Sequence, residues 1–308
     1  MKVLACALLL CALPARAFVR TRNSAGVCIW WSAHGHSFQV DALGTPDVTG
    51  AAAADAVRRS FATWSAASCS DLAFAEQPIS TSAADRLVGY FPSAANHNLV
   101  LFRTRNCRDA VPSGTTCTGS GGCSNLYDCW DQGDGVIAST TTTSDARSGE
   151  ILDSDIELNA AVFRFTAVDG LPCQTAAETG CVRTDVQNTV THEAGHSLGL
   201  DHSPDHPEAA MYPTGPPGEV TKRVLAQDDI QGICSIYPRG AASMTCTGPA
   251  AGGGGCGCSA AQTGPGAALV TLLVLLQIRR RSRRTPQLAM SSRTPAAIAA
   301  RSQSGSVN

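Results

Sequence analysis

The chain has 308 residues, a formal net charge of −2 and a hydrophobic share of 44%. This length is sufficient for one good-sized domain with its own hydrophobic core, plus appendages. The charge is unevenly distributed, because 14 basic and 25 acidic residues lie between positions 18 and 278, whereas seven arginines follow. An acidic body argues against nucleic acid as a partner, since phosphate binding needs a basic face.

The first 17 residues have the composition of a secretory signal peptide. Lys2 supplies a positive charge, residues 3–13 form an apolar run, and residues 15–17 (Ala-Arg-Ala) form a small-residue cleavage box. Such a segment is removed on export and takes no part in the fold. We therefore predict an exported, extracellular or surface-attached protein whose folded domain occupies residues 18–239.

The cysteine content agrees with export. Of 14 cysteines, two lie in the predicted signal peptide and two form a Cys-Gly-Cys element near the C-terminus. The remaining ten predict five disulfides, whose connectivity the sequence leaves open. These ten are Cys28, Cys69, Cys107, Cys117, Cys123, Cys129, Cys173, Cys181, Cys234 and Cys246. None forms a Cys-x-x-Cys pair, so a structural zinc knuckle is not expected.

Hydrophobic periodicity predicts the first elements in chain order. Residues 27–41 predict a strand, and residues 49–68 change to the spacing of an amphipathic helix. Further strands are predicted at 87–91, 98–103, 135–143 and 150–159. The stretch 104–135, rich in glycine, serine, threonine and cysteine, is expected to be a disulfide-stapled loop.

Two more helices are predicted after these strands. Thr184 and Gln187 resemble a capping box that opens the second helix. The last helix is predicted from Leu225 to Tyr237 and ends at Pro238. Strands interleaved with three helices predict an α+β fold, with the second helix under a mostly one-sided sheet.

The clearest chemical signal lies in that second helix. His192 and His196 are four residues apart, so both imidazoles project from one face and can share a metal ion. Gly199 permits a left-handed turn that ends the helix, after which His202 can supply a third nitrogen. Three protein ligands leave one position of a catalytic zinc ion open. Glu193 lies beside the ligands, where its carboxylate can act as general base on a water molecule.

Other interpretations of the metal ligands were weighed. A structural zinc, or histidines satisfied within the core, would not require Glu193. Asp128, Asp131 and Asp134 could coordinate calcium, although their spacing fits no known calcium loop. His206 is interpreted as a solvated loop residue between two prolines. The sequence therefore predicts one catalytic zinc ion.

The motif resembles a known family. Residues 192–202 match the long metzincin signature, and residues 210–213 (Ala-Met-Tyr-Pro) resemble the methionine turn of that family. Further matches to its matrixin branch are Ser203 and residues 61–64, 154–159 and 228–237. The resemblance covers roughly residues 27–239. It implies a zinc-dependent endopeptidase with a twisted, mostly parallel five-stranded sheet, three helices and a substrate cleft.

The resemblance also implies roles for further residues. Met211 would form a hydrophobic floor beneath the three histidines. Residues 135–143 would be an edge strand that pairs with the substrate backbone, and residues 212–218 would wall the pocket for the side chain following the cut. The substrate-binding residues predicted on this basis are Ile137, Ala138, Ser139, Tyr212 and Pro213. Where matrixins have a histidine for a second, structural zinc, this chain has Glu157, so that zinc is not predicted.

The composition changes beyond residue 239. Residues 240–266 form a linker rich in glycine and cysteine, and residues 267–284 combine an apolar run with an arginine cluster of the positive-inside type. These segments resemble the MYXO-CTERM type of bacterial surface-sorting tag, which implies membrane anchoring through 267–284. Residues 285–308 are predicted to be disordered.

Two alternatives to an endopeptidase of extracellular proteins stay open. The same scaffold could be a surface adhesion or binding module without turnover. Loss of Glu193 or of the third histidine would have favoured this alternative, and both residues are present. It could also be a zinc hydrolase of cell-wall peptides. The predicted partners are protein or peptide substrates, and we expect a monomer that does not bind nucleic acid.

Overall fold

The computed structural model describes residues 18–41, 43–78, 86–118, 121–246 and 298–307. The predicted signal peptide, most of the linker and the predicted anchor at 267–284 lie outside the described residues. Within the described ranges, no helix has both the length and the apolar character needed to cross a membrane.

The described chain contains eleven strands and five α-helices. Its strands are β1 (Val19–Arg20), β2 (Gly35–Val40), β3 (Ala73–Glu76), β4 (Leu99–Arg103), β5 (Val136–Asp145), β6 (Ile151–Asn159), β7 (Phe165–Thr166), β8 (Thr184–Asp185), β9 (Leu200–Asp201), β10 (Thr214–Gly215) and β11 (Ile298–Val307). Its helices are α1 (Gly50–Ser65), α2 (Cys107–Ala110), α3 (Gly122–Tyr127), α4 (Val186–Ser197) and α5 (Gln227–Ile236). The predicted helices correspond to α1, α4 and α5, whereas α2 and α3 lie in the stretch expected to be a loop.

One mixed sheet forms the scaffold. Its five central strands lie in the order β5-β6-β4-β2-β3, and every neighbouring pair is parallel except β5 and β6. This confirms the predicted α+β fold with a mostly parallel five-stranded sheet. β11 extends the sheet beyond β5, and β10 follows β11. Residues 298–307 thus form a strand within the segment expected to be disordered, because the outer side of β5 offers them backbone partners.

The hydrophobic core joins this sheet to α1 and α4. Val57, Phe61 and Trp64 of α1 are buried at the predicted helical spacing. Phe38 of β2 stacks on Phe61 with 4.2 Å between ring centroids. The Trp64 indole nitrogen donates a hydrogen bond to the Thr191 carbonyl oxygen at 2.9 Å. Core packing therefore also positions α4, the helix that carries the histidines.

The predicted strand at 87–91 is wrong. The backbone nitrogen of Val88 donates to Asn125 Oδ1 at 2.9 Å, and that of Gly89 donates to Asp155 Oδ2 at 2.5 Å. Side-chain oxygens thus satisfy this backbone where a neighbouring strand would do so in a sheet. A further strand that was not predicted, β3, pairs in parallel with β2.

The predicted cap of α4 is wrong by one residue. Asp185 is the N-cap, and its Oδ1 accepts a hydrogen bond from the Asn188 backbone nitrogen at 2.7 Å. Thr184 belongs to β8 instead. The Asp185 carboxylate is also ion-paired with Arg223 at 2.6 Å, so the cap is tied to the turn that precedes α5.

All ten cysteines expected to pair do so. The bridges are Cys28–Cys246, Cys69–Cys234, Cys107–Cys129, Cys117–Cys123 and Cys173–Cys181. Two of them lie within the stretch 104–135, as predicted. Cys69–Cys234 instead ties the loop after α1 to α5, so disulfides join distant segments as well as stapling loops.

Candidate metal centre

Helix α4 and the turn after it bring His192, His196 and His202 together. Their Nε2 atoms lie 3.2 Å from one another in all three pairs. Imidazole nitrogens bound tetrahedrally to zinc at their usual bond length lie about 3.3 Å apart. The triangle therefore has the size that zinc requires. Among the described residues, this is the one group of three or more potential metal ligands placed so closely.

Backbone carbonyls orient two of the imidazoles. His192 Nδ1 lies 2.6 Å from the Ala210 carbonyl oxygen, and His196 Nδ1 lies 2.9 Å from that of Leu200. Because a carbonyl oxygen can only accept, each Nδ1 carries the proton and each Nε2 presents a lone pair to the triangle. Lone pairs that converge in this way repel one another unless a cation lies between them. The donor set therefore fits a metal ion.

Burial favours the neutral form of these histidines. It lowers the pKa of His192 well below its usual value, and the charges of His196 and His202 act in the same direction. Burial and the charge of His202 lower the pKa of His196 to about 4. Burial also lowers the pKa of His202. Neutral imidazole is the form that binds a metal ion.

Glu193 is fully buried on α4 next to the first ligand. Its Oε2 accepts a hydrogen bond from Thr140 Oγ1 of β5 at 2.6 Å, whereas its Oε1 is buried without a hydrogen-bond partner. Burial raises the pKa of Glu193 to about 8, and the hydrogen bond from Thr140 opposes this rise. An unpartnered buried oxygen is unfavourable unless water or a ligand satisfies it. This carboxylate is thus suited to hold a water molecule and take its proton.

Two glycines permit the close packing around the site. Gly199 has a φ of 89°, and a Cβ there would lie 2.5 Å from the Ile29 carbonyl oxygen, so the turn before His202 requires glycine. A Cβ on Gly195 would lie 2.1 Å from Met211 Sδ. Met211, which is 1% exposed, therefore packs directly against the helix that carries two of the histidines.

Asp229 supports the site and was not singled out from the sequence. Its carboxylate accepts hydrogen bonds from the backbone nitrogens of Ala210 and Met211, at 2.7 and 3.1 Å. Because the Ala210 carbonyl in turn orients His192, Asp229 holds the methionine turn against the metal centre. An acidic residue in the first turn of a helix is ordinarily a cap, and Asp229 also accepts from the Ala226 nitrogen at 2.8 Å. Its sequence position therefore does not reveal its second role.

A cavity adjoins the metal centre. Its empty volume is about 490 Å³ including its open mouth, and His192 and Glu193 form part of its lining. Three predicted substrate-binding residues also line it: Ile137, Tyr212 and Pro213. The other two, Ala138 and Ser139, are buried in β5 and do not line it. The structure thus brings three of the five predicted residues to this cavity.

β5 is the strand that we expected to pair with the substrate backbone. Its inner side pairs antiparallel with β6, and its outer side pairs in parallel with β11 from Val136 to Asp145. β10 pairs antiparallel with the other side of β11. The slot between β5 and β10 therefore accommodates an extended chain, and a substrate strand bound there would take the place of β11.

Two of the three carboxylates considered for calcium, Asp128 and Asp134, are paired with arginines. Asp128 lies 3.0 Å from Arg86 and 2.7 Å from Arg103. Asp134 is paired with another arginine at 2.6 Å. Glu157, at the matrixin position of a second-zinc histidine, lies 2.6 Å from Arg103. Arginine cations thus neutralise these groups, and the predicted aspartates are not arranged around a shared cation.

Comparison with known proteins yields matches to parts of this chain. Residues 121–238 match the family model described as Matrixin. Human matrilysin is 55% identical over 47 residues, which are 15% of this chain and 17% of that protein. Human neutrophil collagenase is 49% identical over 59 residues, 19% of this chain and 12% of that protein. Metalloendoproteinase 1 of Glycine max is 52% identical over 54 residues, 17% of each chain.

These matches cover part of the chain. The chain spans less than a fifth of the length of these curated relatives. The family match contains β5, α4, the three histidines and α5, whereas α1 and the strands β2 to β4 lie before it. Residues 121–238 therefore resemble the matrixins.

Proposed function

We propose that the protein is a zinc-dependent endopeptidase that hydrolyses peptide bonds in proteins. The observation that carries this proposal is the equilateral triangle of Nε2 atoms beside the buried Glu193 carboxylate, whose Oε1 has no partner. The adjoining cavity and the slot between β5 and β10 support a substrate that binds as an extended chain.

The residues of the site have separable tasks in this mechanism. His192, His196 and His202 would hold zinc, which when bound acidifies water and polarises a carbonyl group. Glu193 takes the proton of the attacking water and returns it to the leaving amine. Thr140 orients the Glu193 carboxylate through Oε2, which leaves Oε1 for the proton.

The substitution Glu193→Ala tests the mechanism. We expect the variant to keep about one zinc ion per chain and to lose at least ~100-fold in the rate of cleavage, the usual contribution of a general base. Metal analysis and cleavage of an unfolded protein substrate measure the two outcomes. Glu208→Ala, which removes an exposed carboxylate, is the matched control. A Glu193→Ala protein as active as the parent would show that this mechanism is wrong.

We further propose that the protein acts outside the cell. Five disulfides and the signal-like first 17 residues support export, because such bridges persist in oxidising compartments. Attachment to a bacterial surface through 267–284, and a monomeric state, stay predictions from the sequence. So does calcium, which the arginine pairs of Asp128 and Asp134 do not favour.

A further inference from the structure

A buried ion pair lines the cavity beside the metal centre, and the mechanism above uses neither member. The Lys222 side chain is 6% exposed and that of Glu219 is 14% exposed. Lys222 Nζ donates to Glu219 Oε2 at 2.7 Å and to the Thr214 carbonyl oxygen at 2.9 Å. Since Thr214 belongs to β10, the pair is attached to the segment predicted to wall the pocket.

Neighbouring residues hold this pair in place. Oδ1 of Asn188, on α4, accepts a hydrogen bond from the Lys222 backbone nitrogen at 2.8 Å. Nδ2 of the same residue lies 3.4 Å from Glu219 Oε2. Thr221 Oγ1 donates to Glu219 Oε1 at 2.8 Å. A Cβ on Gly215 would lie 1.9 Å from Glu219 Oε2, so the glycine leaves room for the Glu219 carboxylate in its present position. The pair is therefore a positioned part of the cavity rather than a mobile surface contact.

One donor of the buried ammonium is left over. A lysine ammonium has three N–H donors, and Lys222 uses two of them on acceptors within the described residues. A buried charged donor without an acceptor is unfavourable. A ligand side chain with an oxygen acceptor would satisfy it, whereas an aliphatic side chain would exclude water and leave it unpaired. Sites built in this way reject analogues that lack the hydrogen-bonding group.

Apart from Glu193, the other charges along the cavity do not repel a carboxylate. Asp185 is paired with Arg223, and Glu219 is paired with Lys222. Arg183, which also lines the cavity, donates to two backbone carbonyl oxygens, which carry no formal charge to balance its own. The charges of the lining thus tolerate an acidic group as well as a neutral amide.

We propose that Lys222, held by Glu219, is a specificity-determining residue of this site. It selects substrates in which the side chain following the cut ends in an oxygen acceptor, namely glutamine or glutamate, over those with leucine at that position. This inference rests on the proposed endopeptidase function and on the predicted role of residues 212–218 as the wall of that pocket.

Cleavage-site profiling of the zinc-loaded full chain on a randomised peptide library tests the proposal. We expect glutamine and glutamate after the cut to be favoured over leucine by about tenfold, the size of a hydrogen bond to a charged group. Lys222→Met should abolish this preference, and Lys222→Arg should retain it. Arg164→Met, which removes an exposed arginine paired with Asp47, is the matched control and should keep the parent profile. A parent that prefers leucine, or an unchanged profile in Lys222→Met, overturns the proposal.

A second variant covers the case in which Lys222→Met does not fold, as judged by circular dichroism. Glu219→Gln keeps an acceptor for Lys222 but removes the negative charge that compensates it. The preference for glutamate over glutamine should then rise by at least about tenfold. The reason is that the positive charge of Lys222, which Glu219 balances in the parent, is left to attract a negatively charged substrate side chain. An unchanged ratio of glutamate to glutamine in Glu219→Gln contradicts the proposal.

Peptide capture separates failure of this inference from failure of the proposed function. The zinc-loaded Glu193→Ala protein is incubated with the same library, and bound peptides are identified by mass spectrometry. Capture of glutamine- and glutamate-containing peptides that is lost in Glu193→Ala/Lys222→Met supports the inference even if the parent cleaves nothing. If the parent cleaves peptides and its preference does not depend on Lys222, the inference is wrong and the endopeptidase proposal is unaffected. If the parent cleaves no peptide and the Glu193→Ala protein captures none, both proposals are overturned.

Discussion

The hydrogen bond from Thr140 to Glu193 couples the sheet to the acid–base chemistry of the site. Thr140→Val removes this bond while keeping the shape of the side chain. The bond holds the pKa of Glu193 down, so its loss raises that pKa and less of the base is ionised at low pH. We expect the acid limb of kcat/KM against pH to move upward by about 0.5–1 unit, the contribution of one hydrogen bond.

The pH profile of peptide cleavage measures this shift, and β5 offers a matched control. Thr142, two residues along the strand, contacts Ser154 Oγ at 3.2 Å and not the Glu193 carboxylate. Thr142→Val should therefore leave the acid limb where it is in the parent. If Thr140→Val behaved in the same way, Thr140 would have no part in setting the protonation of Glu193.

At the scale of elements, β6 carries the carboxyl groups of Asp153 and Asp155 into the protein interior, in addition to that of Glu157. Asp153 and Asp155 are two residues apart on one strand and so lie on the same face. Asp155 accepts backbone hydrogen bonds from Leu99 at 2.9 Å and Gly89 at 2.5 Å. Burial raises the pKa of Asp153 to about 6, and burial together with the charge of Asp153 raises the pKa of Asp155 well above its usual value.

This arrangement makes the stability of the parent depend on pH. The folded-state pKa of Asp153 exceeds its unfolded value, so its contribution to stability is full below about pH 4 and is lost as the pH rises through about 6. The substitution Asp153→Asn removes the carboxyl group whose ionisation causes this loss of stability. Between pH 4 and pH 7 we expect the variant to gain on the order of 1–3 kcal/mol in free energy of unfolding relative to the parent. Urea unfolding of both proteins at the two pH values measures it, and a difference that does not change with pH would contradict this account.

At the scale of the whole molecule, the disulfides differ in the length of chain they close. Cys69–Cys234 joins residues separated by 165 positions, whereas Cys173–Cys181 joins residues separated by 8. Loop-closure entropy predicts contributions of roughly 5 and roughly 2.5 kcal/mol to the free energy of unfolding. Replacing both cysteines of the long bridge by serine should therefore destabilise the protein about twice as much as the same change in the short bridge. Urea unfolding of the two double variants measures this, and equal losses would show that local strain or packing outweighs loop length.

The sequence by itself determined the features whose geometry is local. The three histidines lie within one helix and the turn after it, so their spacing was enough to predict the triangle that the structure contains. Helical periodicity likewise predicted α1 and α5, because it reports which face of a helix is buried. The two strands β5 and β6 were predicted from their sequence on either side of a turn at Ser148-Gly149. The same reasoning failed at residues 87–91. An apolar stretch does not reveal whether its backbone forms hydrogen bonds with a neighbouring strand or with side chains.

Only the tertiary structure decided which distant segments meet. The contact of Thr140 with Glu193, the support of the methionine turn by Asp229 and the place of Lys222 in the cavity join residues from separate elements. The pairing of the ten cysteines belongs to the same class. Such contacts depend on the order of strands and on the path of loops, which leave no periodic trace in the sequence. The chemistry of the metal centre was therefore readable from one short motif, whereas the residues that tune it became visible only in the fold.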